Sequence, residues 1–163
     1  MGTLRLSVDL TAQRLTVWDG ARASRQYLVS TGANGAGEIR GSGGTPRGRH
    51  LIRAKIGAGS PAGTVFRGRR VATDTPLCTT EALERFPGRD WITSRILWLS
   101  GLEPGRNRLG CVDSMRRYIY IHGTPHHAEL GRPASHGCIR LSDADVIELF
   151  DLVPVGTQVD LHE

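Results

Sequence analysis

Leu4, Leu6, Val8 and Leu10 alternate with polar residues inside Met1–Leu10. A repeat of two is the period of a half-buried strand and is incompatible with an amphipathic helix. A turn over Thr11–Gln13 leads into Leu15, Val17 and Trp18 as the returning arm of a hairpin, and Tyr27–Thr31 is a third strand candidate. Strand-like stretches resume at Leu51–Ile56, around Val65 and Phe66, and at Val71. Tyr118–Ile121 again alternates, with aromatic and β-branched residues, up to His122. His122 is therefore expected at a strand terminus, with Tyr118 and Tyr120 on the same face.

What joins these stretches favours a β-rich domain. The chain carries 21 glycines in 163 residues, a supply that suits tight turns and irregular loops better than a helical bundle. Gly32–Gly48, rich in glycine and serine around Thr45 and Pro46, is a long loop, placed either beside a functional site or on the surface. One helix is clear. Ser142 followed by Asp145 resembles a capping box, and Val146, Ile147, Leu149, Phe150 and Val153 keep helical spacing up to Pro154. Val155–Thr157 then turns the chain into a closing strand, Val159–Leu161. Thr73–Asn107 is the least patterned stretch and looks inserted: Thr80–Phe86 suggests a short helix, and Trp91–Ser100 a strand or a buried helix. Trp18, Trp91 and Trp98 are expected in the core or at sheet edges. The length fits one domain, residues 1–163.

Bulk properties remove several function classes. The net charge of +5 comes almost wholly from arginine, with Lys55 the lone lysine. That surface attracts anionic partners, yet no basic run with interleaved aromatics marks a nucleic-acid footprint. No apolar run approaches the roughly 20 residues that span a bilayer, so no membrane insertion is expected. The N-terminus lacks the pattern of a secretory signal, which gives a cytoplasmic location as the expectation, with a periplasmic one if the chain is truncated. Cys78, Cys111 and Cys138 are an odd set without scaffold spacing, which argues against a disulfide-stapled domain.

Chemistry concentrates between Ile121 and Ser142, IHGTPHHAELGRPASHGCIRLS. A thiol at neutral pH is only a few per cent thiolate, so a nucleophilic cysteine needs a base or positive charge beside it. Cys138 is the candidate nucleophile and His122 its base, if the intervening loop folds back. Gly137 permits close approach of the backbone to a carbonyl. The amides of His136, Gly137 and Cys138 would then stabilise an oxyanion. Arg140 offers a planar fork for a carboxylate. Ser135 either holds the loop or touches substrate, Tyr120 either lines the site or packs, and His126 and His127 are expected in an exposed loop.

The pairing of HGT with SHGCIRL resembles the L,D-transpeptidase (YkuD) catalytic domain. Thr45-Pro-Arg-Gly48 is similar to that family's TP-x-G element, and Leu149–Val159 to its C-terminal helix, turn and strand. The resemblance implies a mainly β fold, a β-sandwich with one clear C-terminal helix and long loops. It also implies that Cys138 attacks the bond between an L-centre and a D-amino acid in a peptidoglycan stem peptide, giving a thioester and releasing D-alanine. His122 would take the thiol proton, with a backbone carbonyl near Gly123 orienting its imidazole. Arg140 would shape the substrate site, and carbapenem-type β-lactams would acylate Cys138.

Attack by the amine of a second stem peptide on that thioester makes a 3-3 crosslink, and a free D-amino acid makes an exchange. Attack by water makes an L,D-carboxypeptidase, the activity expected of a cytoplasmic enzyme that trims recycled tetrapeptides. No cofactor or metal is expected. Two rivals come from other classes. His122, His127, His136 and Cys138 are metal-compatible ligand types, which would suit a zinc hydrolase, although their spacing matches no familiar zinc motif. A non-catalytic module that binds wall peptide is the other. Oligomeric state is not legible.

Overall fold

The computed structural model describes residues 3–163; Met1 and Gly2, the first two positions of the expected N-terminal strand, lie outside the described residues. The initial alternation forms β1 (Leu4–Asp9), and β2 (Arg14–Asp19) returns antiparallel to it, with Leu6 opposite Val17 and Val8 opposite Leu15. The third strand, β3, spans Arg22–Leu28 rather than Tyr27–Thr31. It is an edge strand with most of its side chains in solvent, so no hydrophobic alternation marks it. β4 (Gly48–Ile56) is followed by a small hairpin, β5 (Phe66–Arg67) and β6 (Arg70–Val71), and by the short helix α1 (Thr80–Arg85). Then come β7 (Thr93–Gly101), β8 (Tyr120–Thr124), β9 (Ile139–Ser142), α2 (Asp143–Leu152) and β10 (Gln158–His162).

Eight strands form one sheet in the order β3-β2-β1-β10-β4-β7-β8-β9. The sheet curls, because the chain just beyond β3 reaches its opposite edge. Ser30 and Arg140 exchange both backbone hydrogen bonds, at 3.0 and 2.9 Å. The fold is thus mainly β with one main helix, as the sequence implied. The helix begins where its cap predicts: Ser142 Oγ accepts from the Asp145 N–H at 3.1 Å.

Alternation sorts the residues of β7, β8 and β9 between two faces. Leu97, Leu99, Ile121, Ile139 and Leu141 join Leu6, Val8 and the α2 residues Val146, Leu149 and Phe150 in the main core. Leu97, Ile121, Ile139, Leu141 and Leu149 are completely buried, and truncating any one of them to Ala would cost about 2–5 kcal/mol. The other face carries a smaller cluster of Phe66, Ile96 and Tyr120, with Trp98 and Cys138 packed against it.

Two expectations are corrected here. Thr73–Asn107 is no insertion, since it contains β7, which lies between β4 and β8 in the sheet; the Trp91–Ser100 stretch is strand from Thr93 onwards, because β7 is paired on both sides. The second concerns Tyr118, which has a left-handed backbone with φ of 56° and a half-exposed side chain. The strand therefore starts at Tyr120, and His122 lies at its centre rather than its end. Trp91 is buried, in a satellite cluster with Val65, Ala72 and Ala82.

Candidate active site

β8 and β9 run parallel, with Ile121 opposite Ile139 and His122 opposite Arg140. Because side chains alternate, sending both isoleucines into the core turns Tyr120, His122, Arg140 and Cys138 to the other face. Cys138 immediately precedes β9, level with Tyr120. Its Sγ accepts the Tyr120 N–H at 3.3 Å and donates to Tyr118 O at 3.4 Å. His122 lies two residues further along that face, roughly 7 Å by strand rise.

His122 is 1% exposed, and its Nδ1 lies 2.7 Å from Gly123 O. A carbonyl only accepts, so Nδ1 carries the proton and Nε2 keeps the basic lone pair. Burial holds the imidazole down at about 4, against the opposing pull of the Gly123 carbonyl and of Asp90. Burial likewise pushes the Cys138 thiol up to about 12, opposed by the Tyr120 N–H and by the charges of Arg140 and Arg117. The resting pair is therefore neutral thiol and neutral imidazole. Among the described residues no His122–Cys138 hydrogen bond is formed, so a proton transfer between them requires the thiol to turn away from Tyr118 O.

Gly123 can only be glycine here. A Cβ at that position would come within 2.5 Å of Thr93 O and 2.8 Å of Asp143 Oδ1. Asp143 accepts from Thr93 Oγ1 at 2.6 Å and from Ser94 Oγ at 2.5 Å, which joins the first turn of α2 to β7 beneath the histidine. Gly137 has φ of +126°, a conformation open to glycine alone. Its N–H donates to Ser135 Oγ at 3.1 Å, so one of the three amides expected to meet an oxyanion is already engaged. The N–H groups of His136 and Cys138 have no acceptor among the described residues. Ser135 is 2% exposed, and its hydroxyl also donates to Cys138 O at 2.6 Å. It braces the loop and presents no surface to substrate.

Arg140 departs from the expected open fork. It is buried, with Nη2 on Asp90 Oδ1 at 2.9 Å and Nη1 near Glu129 Oε2 at 3.5 Å. Asp90 also faces His136 Nδ1 at 3.4 Å, and His136 is otherwise exposed to solvent. Tyr120 is buried and takes a hydrogen bond from Arg69 Nη1 at 3.1 Å. Trp98 packs edge-on against Tyr120, and Arg69 stacks over both Trp98 and Tyr118.

Sequence reasoning missed Asp90, Arg69 and Arg117. No motif surrounds any of them, and they reach the site through contacts distant in the chain. Arg117 is the brace of the glycine-rich loop, donating to Gly37 O at 2.9 Å, Glu38 O at 3.0 Å and Gly44 O at 2.7 Å. Gly32–Gly48 is therefore a wall of the site and is tied down, with Gly32 pairing Ser135 and Thr45 Oγ1 bonded to Gly137 O. A cleft of about 530 Å3 opens onto Cys138, lined by Asp90, Ile92, Arg117, Tyr118 and Tyr120 among others. His127 is exposed and His126 half-buried in their loop. Among the described residues no three His, Cys, Asp or Glu side chains converge to hold a metal ion, so the four ligand types of the zinc reading are not brought together.

The model of the L,D-transpeptidase catalytic domain, YkuD, matches residues 4–161. The protein designated L,D-transpeptidase YkuD in Bacillus subtilis is 45% identical over 47 residues, which are 29% of this chain and 29% of that protein. An Escherichia coli protein designated L,D-transpeptidase YbiS is 49% identical over 43 residues, 26% of this chain and 14% of its own length. The matched stretches thus take in less than a third of these relatives. Among solved structures, an L,D-transpeptidase from Mycobacterium smegmatis superposes with a TM-score of 0.57 at 20% identity, over 98% of this chain and 58% of that one. L,D-transpeptidase 3 from Mycobacterium tuberculosis, solved with a faropenem-derived adduct, gives 0.59 at 17% identity, over 99% of this chain and 60% of that one. At such identities these structures speak for the fold.

Proposed function

The chain belongs to the L,D-transpeptidase catalytic-domain family, and on that premise we propose that it transfers peptidoglycan stem-peptide acyl groups through a thioester on Cys138. The observation that carries this reading is the placement of Cys138 and His122 on one face of the β8–β9 pair, with His122 Nδ1 held on Gly123 O. That bond leaves Nε2 as the ring nitrogen free to accept a proton.

As Sγ attacks the carbonyl carbon between the L-centre and D-alanine, its proton passes to His122 Nε2 and an S–C bond forms. The free N–H groups of His136 and Cys138 are donors for the oxygen that becomes negative. Collapse breaks the C–N bond, and the departing amine of D-alanine takes the proton from His122. The acceptor then bonds to the thioester carbon and gives its proton to His122; the C–S bond breaks, and His122 returns that proton to Sγ, which restores the thiol. Because the resting thiol and imidazole are both neutral, deprotonation belongs to the attack itself, as general-base catalysis.

The family favours an amine of a second stem peptide as acceptor, which makes a crosslink. Water as acceptor would instead make the cytoplasmic trimming enzyme. A diaminopimelate tetrapeptide, given with and without an acceptor tripeptide, separates the two by mass spectrometry of the products. We expect D-alanine release, an acyl-enzyme mass on the wild type, and neither with Cys138→Ala. Turnover that survives Cys138→Ala would end the proposal. By analogy with the faropenem-derived adduct of L,D-transpeptidase 3 from Mycobacterium tuberculosis, a β-lactam of the penem or carbapenem type should also add its mass to the wild type and not to Cys138→Ala.

A further inference from the structure

Arg25, Arg47, Arg67, Arg89, Arg106 and Arg140 each stand against a carboxylate. Arg40, Arg116 and Arg117 do not, and all three line one recess of about 530 Å3 together with Tyr118, Ile119 and His136. No acidic side chain lines that recess. Arg117 is half-buried and gives its N–H groups to the backbone carbonyls of Gly37, Glu38 and Gly44; among the described residues no carboxylate is bonded to it, and the nearby Glu38 charge is already held by Arg47. Arg40 and Arg116 are exposed, and among the described residues their guanidinium groups have no partner.

The recess adjoins the candidate thiol. Arg117, Tyr118, Ile119 and His136 line both it and the cleft that contains Cys138, and Tyr118 O is the acceptor of the Cys138 thiol. The two arms share Arg117 but differ otherwise, since the cleft sets Asp90 beside Arg69 whereas the recess adds Arg40 and Arg116 with no acid in its lining. An extended peptide crossing the thiol would therefore lie with an anionic group in the recess. Guanidinium groups with free donors and no competing carboxylate suit a carboxylate best.

We propose that the recess lined by Arg40, Arg116 and Arg117 is a carboxylate-binding site, which takes an anionic group of the peptide whose carbonyl meets Cys138. The identity of that peptide rests on the function proposed above; the anion site rests on the arginines. Arg117 supplies a fixed charge, and Arg40 and Arg116 supply the hydrogen bonds.

Calorimetry on a Cys138→Ala background, which leaves the ligand intact, tests this with the diaminopimelate tetrapeptide and with versions amidated at each carboxylate in turn. Adding Arg40→Gln and Arg116→Gln should weaken binding of the free peptide about ten-fold, the scale of a few solvent-screened, charge-assisted contacts. Amidating one particular carboxylate should weaken it as much, and the two losses should not add. Equal affinity for free and amidated peptides, losses that multiply, or no binding at all would each overturn the site. Turnover by the protein with Cys138 present reports separately on the proposed function. Turnover with amidation-blind binding removes only this inference, whereas arginine-dependent binding without turnover removes only the function.

Discussion

Thr45 Oγ1 donates a 2.9 Å hydrogen bond to Gly137 O and accepts the Gly32 N–H, also at 2.9 Å. One fully buried hydroxyl thus joins the two ends of the site wall to the residue before the thiol. Thr45→Val keeps the shape and leaves a buried donor and a buried acceptor unpaired. Each orphan costs about 1–3 kcal/mol. The expected outcome is a fall of a few kcal/mol in urea-unfolding stability and a larger loss of acylation rate, read by intact mass. Unchanged acylation would show that the loop does not hold Cys138 in place.

Gly123→Ala places a methyl group within 2.5 Å of Thr93 O. That neighbour is strand backbone and the next, Asp143 Oδ1, is held by Thr93 and Ser94, so β7 and β8 must part and the carbonyl on His122 Nδ1 must move. Overpacking of this kind costs about 1–3 kcal/mol or more. Loss of activity in protein that is still folded, by circular dichroism at a temperature below its melting point, is the expected result.

Asp90 pulls the pKa values of both His122 and Cys138 upward. Its negative charge favours protonated imidazole and opposes thiolate. Asp90→Asn removes that bias, so both limbs of the pH–rate profile should move towards acid. A profile that only drops in height, without moving, would mean that Asp90 acts solely by holding Arg140.

His50 is fully buried, with Nε2 on Ser114 Oγ at 2.8 Å, and burial lowers it from 6.5 to about 4. His122 is lowered to about the same value. Between roughly pH 6.5 and 4 the unfolded chain binds protons at both sites and the folded chain does not. Stability should therefore be full above this window and fall as the pH drops through it, by an amount on the order of 3 kcal/mol for each histidine. Urea titrations at pH 7 and pH 4.5 measure the difference. His50→Gln should begin less stable yet lose markedly less between the two pH values.

The strands β1 and β2, the capped helix α2, and the strand before Cys138 were legible because each is written in local periodicity or a local cap. Ser142 with Asp145 is the clearest case, a contact three residues long. β3 was misplaced because an exposed edge strand needs no apolar face, and β8 was begun too early because alternation does not report the left-handed turn at Tyr118. Asp90, which meets Arg140 across fifty residues of chain, left no mark at all.

What is legible in the sequence alone is the set of candidate groups: a cysteine, a histidine and the glycines that let backbone come close, at a spacing that resembles one family. The tertiary structure alone decided the electrostatics. Whether Arg140 is an open fork or a buried partner of Asp90 depends on which loop the curled sheet brings beside it. Likewise, three arginines become one cationic recess only when Gly32–Gly48 folds against Arg117. Covalent potential is a property of single residues, but pKa and charge compensation are sums over neighbours in space, and those neighbours are set by packing.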